Sequence, residues 1–158
     1  MRKLSFKESE KFGRLIFSQL LMASGATNIE FTEDDFDNVD VYWEYDNTIN
    51  VGELKYRQGY SSTNRLMQEE GCVLEKHKYD DLISRANREG KEPYYVMMFN
   101  DGVAYSFNLT NYEPKWVMEK DKYPKTTCGD KSKKDKVVTY VPLDFAKDVI
   151  RYNLHINE

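Results

Sequence analysis

Three residues carry the chemistry this chain could perform. Asp40 lies in Val39-Asp40-Val41-Tyr42-Trp43, and Glu53 and Lys55 lie in Val51-Gly52-Glu53-Leu54-Lys55-Tyr56. Both segments read as strands, with Tyr45-Asp46-Asn47 as a short turn between them. Strand side chains alternate between faces, so Glu53 and Lys55 share one face while Leu54 takes the other. Asp40, on the preceding strand, can meet them at one spot. Two carboxylates can hold a divalent cation through oxygen, and a lysine beside it can orient or help deprotonate a water. The competing account is structural: a sheet with one wet face, on which Glu53 and Lys55 make ordinary cross-strand pairs.

Glu-x-Lys occurs three times, as Glu53-Leu54-Lys55, Glu89-Gly90-Lys91 and Glu113-Pro114-Lys115. The second contains a turn glycine after a helix-like stretch. The third contains a proline, which a central strand does not accept. Only the first sits in an alternating segment with an acid-bearing strand just before it.

The elements that would position these residues follow from periodicity and punctuation. Ser5-Phe6-Lys7-Glu8 is a capping box, and Phe12, Leu15, Ile16, Leu20 and Ala23 then recur at helical spacing until Gly25. A short strand follows at Asn28–Thr32, then an acidic loop over 33–38 and the strands at about 39–45 and 49–57. Residues 58–71 read as a loop. A second helix is expected over about 73–89, stopped by Gly90 and Pro93. Tyr94–Phe99 is apolar throughout and reads as a buried strand. Asn100-Asp101-Gly102 turns it into a partner strand over Val103–Leu109. Residues 111–136 are rich in lysine and turn residues. Val137–Val141 reads as a last strand, and Pro142 opens an expected terminal helix containing Phe145, Val149 and Ile150.

This order of helix, three strands, helix and strand, with the acid on the second strand and Glu-x-Lys on the third, resembles the PD-(D/E)xK, or restriction-endonuclease-like, nucleases over about residues 5–108. The resemblance implies an α/β fold with a mixed sheet and an αβββαβ core, here with extra C-terminal strands and a terminal helix. It implies Asp40 and Glu53 as metal ligands, the backbone carbonyl of Leu54 as a further ligand, and Lys55 as the residue that positions or deprotonates water. Some members add a glutamate from the first helix; Glu8 and Glu10 are the candidates here, Glu10 being carried as the further ligand. Asp37 is an alternative to Asp40, which is preferred because valines flank it. The cofactor implied is Mg²⁺ or Mn²⁺ and the activity is that of a DNA endonuclease. At 158 residues a structure-selective, repair, recombination or phage-type enzyme fits better than a large restriction enzyme. The alternative is a catalytically inactive nuclease-fold module that binds nucleic acid or protein. Cutting both strands calls for a homodimer.

Composition sets bounds on these readings. At 40% apolar and 32% charged residues the chain has the balance of a globular protein, expected as one domain over 1–158 with a lysine-rich extension over about 111–142. No apolar run reaches membrane-spanning length, and no apolar core follows the basic N-terminus, so a cytoplasmic protein is expected. Cys72 and Cys128 make no disulfide framework, and Cys72 with His77 has no zinc-site spacing. Net charge is −4, but residues 28–46 hold eight acids and no lysine or arginine, while 115–136 hold eight lysines against four acids. That second stretch is the expected phosphate track, through Lys125, Lys131, Lys133, Lys134 and Lys136; a solvated loop is its plain alternative. In several nucleases of the family this chain resembles, the second helix supplies a polar residue to the site; here Glu75 and Lys78 are expected in solvent and His77 partly packed.

Overall fold

The computed structural model describes residues 3–33, 39–124 and 133–153. Its first helix, α1 (Phe6–Ala23), begins at the expected capping box: the Glu8 amide donates to the Ser5 hydroxyl, and the Ser5 amide donates to the Glu8 carboxylate. Three strands follow, β1 (Thr27–Phe31), β2 (Val41–Tyr45) and β3 (Thr48–Arg57). The β2–β3 turn places Asp46 and Asn47 at φ of 51° and 63°, the left-handed pair that a tight hairpin requires and that Asp and Asn tolerate.

The chain then crosses over through α2 (Arg65–Glu70), β4 (Cys72–Glu75) and α3 (Lys76–Glu89) to β5 (Glu92–Phe99). β5 lies parallel to β3, with Glu53 opposite Tyr95 and Lys55 opposite Met97. A hairpin leads to β6 (Val103–Asn108), after which β7 (Val117–Pro124) and β8 (Lys133–Val141) pair with each other. A 3-10 turn at Leu143–Phe145 leads to β9 (Asp148–Arg151).

The expected αβββαβ order is present, with α2 and β4 inserted before its second helix. The main sheet is mixed, in the order β1-β2-β3-β5-β6-β9; β4-β8-β7 form a second, antiparallel sheet. α1 covers one face of the main sheet, packing Ile16, Phe17 and Leu21 against Val41, Trp43, Val96 and Met98. α3 covers the other, with Leu82 and Ala86 against Val51, Tyr95, Met97 and Phe99. β5 is apolar and buried from Pro93 onward, as suits a strand with both faces covered.

Three expectations are corrected. The terminal helix from Pro142 is instead a single 3-10 turn followed by β9, which pairs with β6 from Ser106↔Asp148 to Val103↔Arg151. Without β9, β6 would be an open edge, and the β-branched Val149 and Ile150 suit a strand that closes it. The second helix starts at Lys76 rather than near 73, because Cys72–Glu75 pairs with Val141–Val138. The third concerns 58–71, read as a loop, and 111–136, read as rich in turn residues, which hold α2 and β7.

Gly71 holds the join between α2 and β4. Its φ is +98°, and a Cβ there would collide with the backbone carbonyl of Val141. Gly71→Ala is expected to cost roughly 2–3 kcal/mol, from left-handed strain plus displacement of β8. Urea denaturation of the variant checks it, as a lowered midpoint.

Candidate active site

The site sits where β2 and β3 part. Their ladder ends at Val41↔Gly52. Val39 packs in the core on the α3 side and Val41 in the core on the α1 side, so the alternation slips at Asp40. The Asp40 amide donates to the Gly52 carbonyl at 2.8 Å, and its carboxylate Oδ2 accepts the Leu54 amide at 2.7 Å. The Asp40 side chain thus stands where a β2 carbonyl would have continued the ladder. In a strand the N–H and C=O of one residue face the same neighbour, so the Leu54 carbonyl also faces the Asp40 flank. Asp40 is buried; its Oδ1 accepts from Arg14 Nη2 at 3.4 Å, and Arg14 also pairs with Glu10 at 3.7 Å. Ser9, Glu10, Gly13, Arg14, Asp40 and Leu54 line one small depression against α1.

Glu53 and Lys55 open on the other face, as their spacing requires. They line a cavity of about 100 Å³ with Arg57, Glu75, Lys78 and Lys136. Glu53 is buried, and its Oε1 accepts from Lys78 Nζ at 3.0 Å. Glu75 is held by Lys136 at 2.8 Å and meets His77 at 3.2 Å.

The electrostatics follow from burial. Glu53 is pushed up to about 8, first by loss of solvent and then by the Asp40 charge; Lys78 and Lys55 pull it only part of the way back. Lys55 is lowered to about 8, by burial first and by the Lys78 and Arg57 charges next. Burial alone would lower Lys78 too, but the Glu53 carboxylate outweighs it and Lys78 ends up raised. Burial asks Glu53 to keep its proton while Lys78 asks it to release it. The 3.0 Å contact serves both states, because a carboxyl oxygen accepts from the ammonium whether or not the group carries its proton.

These donors suit an ion of the magnesium or manganese type, which takes one or two carboxylates and completes its shell with water and substrate oxygen. Two buried, mutually repelling carboxylates and a carbonyl facing one of them form such a set. Among the described residues no three or more His, Cys, Asp or Glu side chains gather as a metal cage.

The other expected residues fall as follows. Glu8 is engaged in the α1 cap, whereas Glu10 shares the depression with Asp40. Lys136 lies in the cavity wall, while Lys133 and Lys134 open β8. Lys125, Lys131 and Asp37 lie outside the described residues. Sequence reasoning missed Lys78, placed in solvent by expectation, and did not consider Arg14 or Arg57. The signal for Lys78 was present: Leu82 and Ala86 are buried, and the same stripe extended back one turn lands on Lys78. Arg57 continues the Glu53, Lys55 row at period two.

No helix among the described residues is long and apolar enough to cross a membrane. No protein-family model matches the chain, and neither does any curated protein. Among solved structures it is similar to the Holliday junction resolvase Hjc of the archaeal hyperthermophile Archaeoglobus fulgidus. The two are 15% identical over 77% of this chain and 86% of that chain, with a TM-score of 0.44.

Proposed function

We propose that this chain is a single nuclease-like unit that hydrolyses phosphodiester bonds in DNA with the help of Mg²⁺ or Mn²⁺. The observation that carries the reading is that buried Asp40 and buried Glu53 lie near enough to the β2–β3 divergence for their charges to repel, with Lys55 on the Glu53 face. Asp40, Glu53 and the Leu54 carbonyl would hold the cation, with Glu10 at the edge of the same flank. When bound, it supplies Lewis acidity toward a phosphate oxygen and lowers the pKa of water.

The rest is the work of the chain. Lys55, lowered by its surroundings, can take a proton from water near neutral pH or hold that water toward phosphorus. Lys78 pulls the raised Glu53 carboxyl part of the way back, so an arriving cation has less to overcome in displacing its proton. Arg14 ties Asp40 to α1. The lysines of 125–136 add charge for the backbone of the substrate, and two copies acting together would cut both strands.

A second reading has its own observation. Lys78 and Arg14 already neutralise the two acids, as in a structural ion-pair network. On that reading the chain is a silent binding module. Incubation of supercoiled plasmid with purified protein separates the two. Nicked and linear DNA in Mn²⁺, and none in EDTA, is expected; intact plasmid at micromolar protein favours the module.

A further inference from the structure

The cavity beside Glu53 carries more positive charge than the chemistry above uses. It is lined by four cationic side chains, Lys55, Arg57, Lys78 and Lys136, and two acidic ones, Glu53 and Glu75. Each acid is already claimed, Glu53 by Lys78 at 3.0 Å and Glu75 by Lys136 at 2.8 Å. Lys55 and Arg57 are left over: among the described residues neither has a carboxylate within ion-pair distance. The Arg57 Nε is buried and makes no hydrogen bond among the described residues. A half-buried guanidinium with an idle donor, facing a cavity with two unmatched positive charges, is costly unless an anion completes it.

Size and spacing narrow the anion. About 100 Å³ of space admits one tetrahedral oxyanion. Arg57 lies four residues beyond Glu53 on one strand face, roughly 13 Å along it. An anion on Arg57 is thus set off along the strand from the end of the cavity that Glu53 lines. The guanidinium fork suits phosphate oxygens, which it can meet with two parallel N–H bonds.

We propose that this cavity is an anion subsite for a single phosphate group, anchored by Arg57 and flanked by Lys55. Binding of the anion stands on charge and space alone; its natural source, a second phosphate of the DNA substrate, rests on the nuclease reading. That phosphate is either an internal diester or a terminal monoester.

Isothermal titration of the full-length, metal-free chain with inorganic phosphate at fixed ionic strength tests the subsite. Saturable binding of one phosphate per chain is expected. Arg57→Gln should weaken it at least about tenfold, the scale of a lost charge-assisted bond, and Arg57→Lys should fall between the two. Circular dichroism checks both folds, and if Arg57→Gln does not fold, the Arg57→Lys affinity decides. No saturable phosphate binding in the wild type, or affinity unchanged in the folded variants, overturns the subsite.

Competition with matched oligonucleotides then identifies the source. Displacement of phosphate only by the 5′-phosphorylated strand assigns a terminal phosphate, and equal displacement by both strands assigns the backbone. Displacement by neither overturns the assignment to DNA. A chain that binds phosphate through Arg57 but leaves DNA intact in Mn²⁺ sinks the nuclease reading alone. One that cuts DNA while its phosphate binding ignores Arg57 sinks the subsite alone.

Discussion

Glu53→Gln is expected to lower Mn²⁺-dependent DNA cleavage at least about a thousandfold while leaving the fold intact. Glutamine keeps the size of the side chain and an oxygen to accept from Lys78, so the wall of the cavity survives. It removes the charge that a divalent ion needs. Asp40→Asn should do the same, because its amide oxygen can still accept the Leu54 N–H that the carboxylate accepts at 2.7 Å. Lys55→Ala should also bring cleavage to background, through loss of the proton acceptor rather than of the ion. The three changes should be far from additive, since each removes the same event. A double variant of Asp40 and Glu53 no slower than either single one is the expected signature. Cleavage surviving Glu53→Gln at more than a tenth of the wild-type rate would remove Glu53 from the site.

Stability of the metal-free protein should fall as pH rises from about 4.5 to about 8, by a few kcal/mol. The sign follows from Glu53. Its folded-state pKa is raised, so the folded chain holds a proton through that window and the unfolded chain does not. The contribution is fully present below 4.5 and lost as pH passes about 8. Lys55 acts in the opposite sense: lowered from 10.5 to about 8, it adds stability only as pH rises across that upper window. A minimum near pH 8 results. Asp40, Lys78 and Lys55 all face Glu53, so comparison with Glu53→Gln isolates its share. Thermal melts from pH 5 to 10 should show wild type losing roughly 5–10 °C between pH 5 and 8. The variant should stay nearly flat over that range. Equal slopes in the two proteins would mean that Glu53 is not the group titrating.

How much of this could be read beforehand depended on the range of the interactions. The capping box at Ser5, the Asp46-Asn47 turn, the period-two row of Glu53 and Lys55, and the two-sided burial of β5 are local patterns, and the sequence carries them openly. β4 and β9 are not local. Cys72–Glu75 reads as the first turn of a helix until Val138–Val141, more than sixty residues away, supplies a pairing edge. Asp148–Arg151 reads as helix until β6 needs a partner. The placement of Asp40 was legible only in part. Its neighbourhood with Glu53 follows from the hairpin, but its carboxylate lies in the plane of the sheet rather than across from Glu53. That depends on the slip between Val39 and Val41, which no alternation pattern announces. Lys78 and Arg57 were hidden by their type, because a charged residue reads as solvent-facing until the stripe or row it belongs to is extended through it.

Whether Asp40 and Glu53 form one divalent-cation site is decided by titrating the metal-free protein with Mn²⁺ and following the paramagnetic resonance of the free ion. The site predicts one saturable Mn²⁺ per wild-type chain, displaced by Mg²⁺, and loss of that ion in both Asp40→Asn and Glu53→Gln. A wild-type chain that binds no Mn²⁺ at millimolar concentration, or a Glu53→Gln chain that binds it as well as wild type, would contradict the claim. In that case Lys78 and Arg14 would be the permanent partners of two structural acids.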